Sequence, residues 1–247
     1  MSIFTTPNAF ATKHSHNWLT KYQDYLGEFV YGGIDGTVTT FAVVSGAFGA
    51  GLDNKVIIIL GFANLLADGF AMSVGAYLST KSVKENYKKH KLREYWEVNN
   101  SPKKERKEVE IIYRNKGFKG ELLQQVVDTI TSDKDRWVNV MMKDELKMHE
   151  DTKSPVMIGL VTYLSFVSIG LIPLIIYVWD YLSSFSGNLF VWTSILTSTA
   201  FVFIGFLKTY VTQTSKPKGI LETLILGIIA ATVSYVVGDL LEGIITS

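Results

Sequence analysis

The sequence contains no cysteine, only five prolines and four histidines among 247 residues, and almost no net charge. Without cysteine the chain has no disulfides, thiolate zinc sites, Cys-ligated iron–sulfur clusters or cysteine nucleophiles. With 24 Lys+Arg against 23 Asp+Glu, it lacks the basic surplus that general nucleic-acid binding requires, so no nucleic-acid partner is expected. His14, His16, His90 and His149 show neither H-E-x-x-H nor Glu-x-x-His spacing, which weakens zincin and di-iron readings and favours solvated surface histidines. No G-x-S-x-G, Walker A or G-x-G-x-x-G context is present, and no enzyme is indicated.

Charge is also missing from most of the chain. Residues 81–153 hold 18 Lys/Arg and 14 Asp/Glu, whereas the other 174 residues carry only 15 charges. Crossing about 30 Å of hydrocarbon takes about 20 helical residues. Five apolar runs are long enough, at approximately 29–51, 56–80, 155–179, 189–207 and 219–240. Their only formal charges are Asp35, Asp68, Glu222 and Asp239. The chain therefore reads as an all-α polytopic protein of the lipid bilayer, with five transmembrane helices and a helical insert between the second and third.

Ser154-Pro155 reads as an N-cap followed by proline at the first helical position. Trp18, Tyr22, Trp179, Tyr181 and Tyr210 suit the membrane interfaces, and Pro173 is predicted to bend the third span. Residues 1–27 are polar and lack the apolar core of a cleavable signal. If the N-terminus is cytosolic, 23 of the 24 Lys/Arg fall on the cytosolic side and only Lys55 on the other. The predicted parts are a cytosolic segment 1–28, helices one and two in 29–80, a cytosolic helical insert 81–153, and helices three to five in 154–247. An odd number of spans leaves the C-terminus outside.

The insert is too long for a structureless loop. One helix is predicted to continue from span two to about Trp96. A second starts at Ser101-Pro102 and runs to Tyr113, with Gly117 and Gly120 marking a turn. A third covers 121–131, and a fourth begins near Ser132 and includes 137–146.

An ionised group in hydrocarbon costs several kcal/mol or more, which singles out Asp35 and Asp68. Glu28, Gly32, Asp35, Thr39 and Gly46 share roughly one helical stripe, and Asn64, Asp68 and Met72 recur every four residues on another. Together the stripes would form an oxygen-rich lane with one thioether. The alternative is that the aspartates are neutral or hydrogen-bonded packing residues. Glu222, Asp239 and Glu242 lie near helix ends, where solvation is cheap.

The insert offers a second constellation in Glu94-x-x-Glu97, Glu105-x-x-Glu108 and Met141-Met142-x-x-Glu145. Helical i,i+3 pairs project side by side, so three packed segments could converge five carboxylates and two thioethers. Carboxylates alone suit Ca²⁺ or Mg²⁺, and soft sulfur shifts preference toward first-row transition ions such as Fe²⁺. The competing reading is a solvated acidic face with a Met-Met pair as core filler.

Two blocks are more specific than spacing. Tyr31-Gly-Gly-Ile-Asp-Gly-Thr-Val-Thr-Thr-Phe-Ala-Val-Val-Ser-Gly46 and Gly61-Phe-Ala-Asn-Leu-Leu-Ala-Asp-Gly-Phe-Ala-Met-Ser-Val-Gly-Ala-Tyr-Leu-Ser79 resemble the vacuolar iron transporter family. The resemblance extends over nearly the whole chain. It implies a five-helix homodimer with a translocation lane between the first two helices of each protomer. It also implies proton antiport of Fe²⁺, with Mn²⁺ and other ions such as Co²⁺, Ni²⁺ or Zn²⁺, out of the cytosol and without a prosthetic group. Carried over by motif, the pathway residues are Asp35 and Met72, with Asp24 and Glu28 at the cytosolic entrance. The insert ligands are Glu94, Glu97, Glu105, Glu108, Met141, Met142 and Glu145. The plant-type pattern has a glutamate where this chain has Asn64, and an amide cannot exchange a proton near neutral pH. Asp68, one turn further along, is the expected substitute.

The compact length fits a prokaryotic plasma membrane, and a vacuolar membrane would have the same topology relative to cytosol. A different class of function is a metal-gated channel or sensor, in which the insert regulates a pore without feeding it.

Overall fold

The structure, a computed structural model, describes residues 25–246, and every regular element among them is helical. In chain order these are α1 (Leu26–Gly49), α2 (Asn54–Asn100), α3 (Pro102–Asn115), α4 (Gly120–Thr131), α5 (Lys134–Val140) and a π turn (Met141–Glu145). They are followed by α6 (Pro155–Gly170), a 3-10 turn (Ile172–Leu174), α7 (Ile175–Ser183), α8 (Leu189–Thr212) and α9 (Lys216–Ile245). The chain divides into two compact units, one running to Ser73 and resuming at Leu160, the other Val74–Gly159.

Among the described residues, four helical stretches are long and apolar enough to cross a membrane: α2, Pro155–Ser183, α8 and α9. The expected first span, α1, is not among them. Its 24 residues give about 36 Å of helix, sufficient in length, but glycine, threonine and two acids dilute its apolar content. The packing supplies the reason. Gly32, Gly33, Gly36, Thr37, Thr40 and Ser45 are buried, because α1 lies against α8, α9 and the 3-10 turn. At such contacts small residues let backbones approach more closely than leucine allows. A Cβ on Gly170 of α6 would sit 2.7 Å from the Gly36 carbonyl oxygen, and one on Gly46 would meet Ser234 of α9. Ser234 Oγ in turn donates to the Ala42 carbonyl at 2.6 Å.

Val44, Ala47, Ile57, Leu65, Phe166, Leu174 and Tyr177 form the first unit's apolar core. Phe48 and Phe190 stack with centroids 4.3 Å apart, tying α1 to α8. The break predicted at Pro173 is present: α6 ends at Gly170, and a 3-10 turn with buried Pro173 and Leu174 precedes α7. Proline cannot donate the hydrogen bond that an uninterrupted α-helix would need there. Apolar side chains such as Ile59, Phe70, Leu221 and Ile228 remain exposed, as a hydrocarbon solvent permits.

The second unit is a small helical domain in which α3 and α4 are strongly amphipathic. Their apolar faces supply Val109, Leu123, Val127 and Ile130 to a core shared with Tyr87, Val98, Trp137, Val138, Met141 and Met142. The α3–α4 turn uses Gly117 and Gly120 at φ +101° and +57°, conformations accessible to glycine. Asp133 caps α5 by accepting from the Arg136 backbone N–H at 2.8 Å. The predicted fourth helix does not continue as α: from Met141 it widens into a π turn, with Leu146 N–H donating to Met141 O at 3.1 Å. Tyr95 OH donates to Asp135 at 2.6 Å, and Lys116 pairs with Asp144 at 2.6 Å, fixing both ends of the α5–π segment.

Candidate metal site

Glu94 and Glu97 occupy adjacent turns near the end of α2, well beyond its apolar stretch, and Glu105 and Glu108 do the same near the start of α3. Three of these acids meet. Glu94, Glu97 and Glu105 each offer an oxygen within 4.8 Å of the others, a spacing that could hold a metal ion. The group is not a solvated face, because Glu94 is 4% exposed and Glu105 fully buried. Glu94 Oε2 and Glu105 Oε2 are buried without a hydrogen-bond partner. A buried, unpaired carboxylate oxygen is costly, and a proton or cation relieves it.

Electrostatics tie the remaining acids to the same place. Burial pushes the Glu94 carboxyl up to about 7, helped by the charges of Glu145, Glu97, Glu105 and Glu108. Glu105 is raised by burial and then Glu108, with Lys104 opposing. Glu145, on the π turn, is raised by desolvation and then by Glu108 and Glu97. All five predicted carboxylates therefore act on one another, although Glu145 itself is largely exposed. Repulsion among five acids favours protonation of some or attraction of a multivalent cation.

Two cations of the chain already lie on the rim, and sequence reasoning missed both. Lys104 Nζ is 3.4 Å from Glu105 Oε1 and 3.3 Å from Glu108 Oε1, and Arg93 Nε is 2.8 Å from Glu97 Oε1. The i,i+4 spacings 93/97 and 104/108 were the signal available for them.

Met141 and Met142 are fully buried and belong to the unit's apolar core. Both sit on a π turn against which α3 packs. One extra residue per turn re-aims side chains locally, and such turns recur at functional sites. Apolar periodicity carries no mark of it.

In the first unit, Glu28, Asp35, Asn64, Asp68 and Met72 are all half-buried. Asp35 and Asp68 lie close enough to interact electrostatically across α1 and α2. Thr39 Oγ1 donates to the Asp35 main-chain oxygen at 2.8 Å. Asn64 Nδ2 is buried without an acceptor, and Met72 packs against the core around Leu65 and Phe166. Asp24 lies outside the described residues. Of the acids set aside, Glu222 pairs with Lys208 at 2.7 Å, and Asp239 and Glu242 are exposed.

Apolar helices that can cross a bilayer, joined to a second unit whose buried carboxylates can hold a cation, define a membrane protein with a candidate metal site. Comparison with known sequences narrows that class. The model of the VIT family matches residues 26–239. A vacuolar iron transporter of Toxoplasma gondii is 33% identical over 237 residues, covering 93% of this chain and 78% of the relative. One from Plasmodium falciparum is also 33% identical, over 89% and 83% of the two chains, and vacuolar iron transporter 1 of Eucalyptus grandis is 29% identical over 86% and 84%. The chain belongs to the VIT family.

Proposed function

We propose that this chain is a transporter that carries Fe²⁺ out of the cytosol across an acid-compartment membrane in exchange for protons. The observation that carries the proposal is the buried Glu94–Glu97–Glu105 cluster with its unpartnered oxygens, in a chain whose relatives are named iron transporters. The insert is read as cytosolic and as the capture site, with Glu108, Glu145 and the two methionines completing it. Mn²⁺, Co²⁺, Ni²⁺ and Zn²⁺ are expected to compete.

Five spans are proposed. The length of α1 and its close packing among α6, α8 and α9 support counting it as the fifth. The lane follows Asp24 and Glu28 to Asp35, Asp68 and Met72, at the interface of a homodimer. Support for that interface comes from the exposed Tyr31 on α1 and the largely uncovered apolar surface of α2. A carboxylate in this setting binds either a metal or a proton, so Asp35 with Asp68 supplies the exchange between the two. The relatives are vacuolar iron transporters by name, which favours a vacuolar membrane over a plasma membrane.

Purified protein in liposomes with an iron-quenched dye inside tests this. An acidic interior should drive Fe²⁺ uptake, and Asp35→Asn should abolish it. Uptake that is insensitive to the pH gradient, or retained in Asp35→Asn, would reject the exchange site. Retained pH-driven flux in Asp68→Asn would remove Asp68 from it.

A further inference from the structure

The carboxylate cluster is already engaged by a cation belonging to the chain. Lys104 Nζ bridges Glu105 Oε1 at 3.4 Å and Glu108 Oε1 at 3.3 Å. The two partners differ sharply in burial. Glu105 is sealed from solvent, whereas the Lys104 side chain is 66% exposed. The ammonium therefore reaches inward from water on a flexible stem and offsets part of the charge at the innermost acid of the group. Arg93 on Glu97 and Lys104 on Glu108 are both i,i+4 pairs along one helix with an exposed cation, of the kind found on many helix surfaces; what sets Lys104 apart is its second contact, to the sealed Glu105.

A divalent ion and this ammonium compete for the same charge. An oxygen of Glu105 lies within 4.8 Å of oxygens of Glu94 and Glu97, and the buried Oε2 atoms of Glu94 and Glu105 have no partner of their own. A metal held there would sit a few ångströms from Lys104 if the lysine stayed in place. We propose that Lys104 is a built-in counterion that occupies the metal-free site and must swing into solvent when a divalent ion binds. This inference rests on the metal-site reading above. Its consequence is a site tuned for release as well as capture: the lysine weakens binding and speeds departure, as a transporter needs and a storage site does not.

A unit charge about 6 Å from a doubly charged ion, at a dielectric constant near that of water, changes affinity about tenfold at low salt. The test is Mn²⁺ binding to the purified full chain in detergent, followed by the electron paramagnetic resonance of the free ion. It is run at about pH 8 and low ionic strength, where the acids are ionised. Lys104→Met keeps the stem and removes the charge, and should bind Mn²⁺ about tenfold more tightly. Lys104→Arg should stay within about twofold of the unaltered chain, and the advantage of Lys104→Met should shrink in about 0.5 M salt. Unchanged or weaker binding by Lys104→Met, or equal tightening by Lys104→Arg, overturns the proposal. Glu105→Gln and the more accessible Glu97→Gln separate the two levels. If both bind Mn²⁺ as the unaltered chain does, the metal-site reading fails. If either weakens binding while Lys104→Met changes nothing, only the counterion fails.

Discussion

Lowering the pH from about 8 to about 6 should weaken divalent-metal binding at the insert about tenfold. Glu94 sets the size of the effect, because burial and four neighbouring acids push its carboxyl up to about 7. It is about nine-tenths ionised at about pH 8 and about one-tenth ionised at about pH 6. A metal can use only the ionised form, so apparent affinity follows that fraction. Glu105 and Glu145 are displaced in the same direction and can only steepen the dependence. The sign carries over to the metal-free fold. A carboxyl whose folded pKa lies above its free value of 4.5 stabilises the fold fully below that value and loses the contribution as pH rises through about 7. Metal binding should therefore raise the melting temperature most on the alkaline side. Titration calorimetry with Mn²⁺, in two buffers of different ionisation enthalpy, counts the protons released. About one proton should leave per ion at about pH 6, and few at about pH 8. Glu94→Gln should flatten the profile. Equal affinity at both pH values, or no proton release at about pH 6, would refute the assignment.

Further perturbations have equally definite outcomes. Replacing Met141 and Met142 with Leu nearly conserves core volume, so chemical denaturation should register less than about 1.5 kcal/mol per site; Mn²⁺ or Fe²⁺ affinity should fall more than Mg²⁺ affinity, and equal losses would remove sulfur from the site. Gly170→Ala places a methyl 2.7 Å from the Gly36 carbonyl and 2.8 Å from Leu65; overpacking should cost about 1–3 kcal/mol, seen as a lower melting temperature in detergent. Asp133→Ala removes the cap on α5 and should cost about 1 kcal/mol in an unfolding titration.

Much of the fold could be read from residue order because membrane helices and amphipathic helices announce themselves by composition and period. Ser101-Pro102, Gly117, Gly120 and Ser154-Pro155 marked helix limits close to where they fall, and Pro173 marked its break. The glycine-rich α1 was legible as a helix, and the four-residue spacing of Gly32 and Gly36 as a face for close approach, but the helices that meet it were not, since their backbones come from distant parts of the chain. In the candidate site, i,i+3 spacing identified the carboxylates, and the structure brings Glu94, Glu97 and Glu105 together. The π turn was invisible because hydrogen-bond register leaves no trace in hydrophobic pattern. Lys104 was overlooked for another reason: among 18 basic residues in 81–153, only tertiary packing shows which one reaches a sealed acid.

The contacts of α1 constrain how any passage through this protein could open. Where main chain rests on main chain, as at Gly36 with Gly170 and Gly46 with Gly238, no side chain can fold away to absorb a shift. Rods clamped in that manner move together or not at all. On the route proposed above, alternation at Asp35 would then fall to α2, whose apolar stretch is largely uncovered, against α1 as a stationary mast.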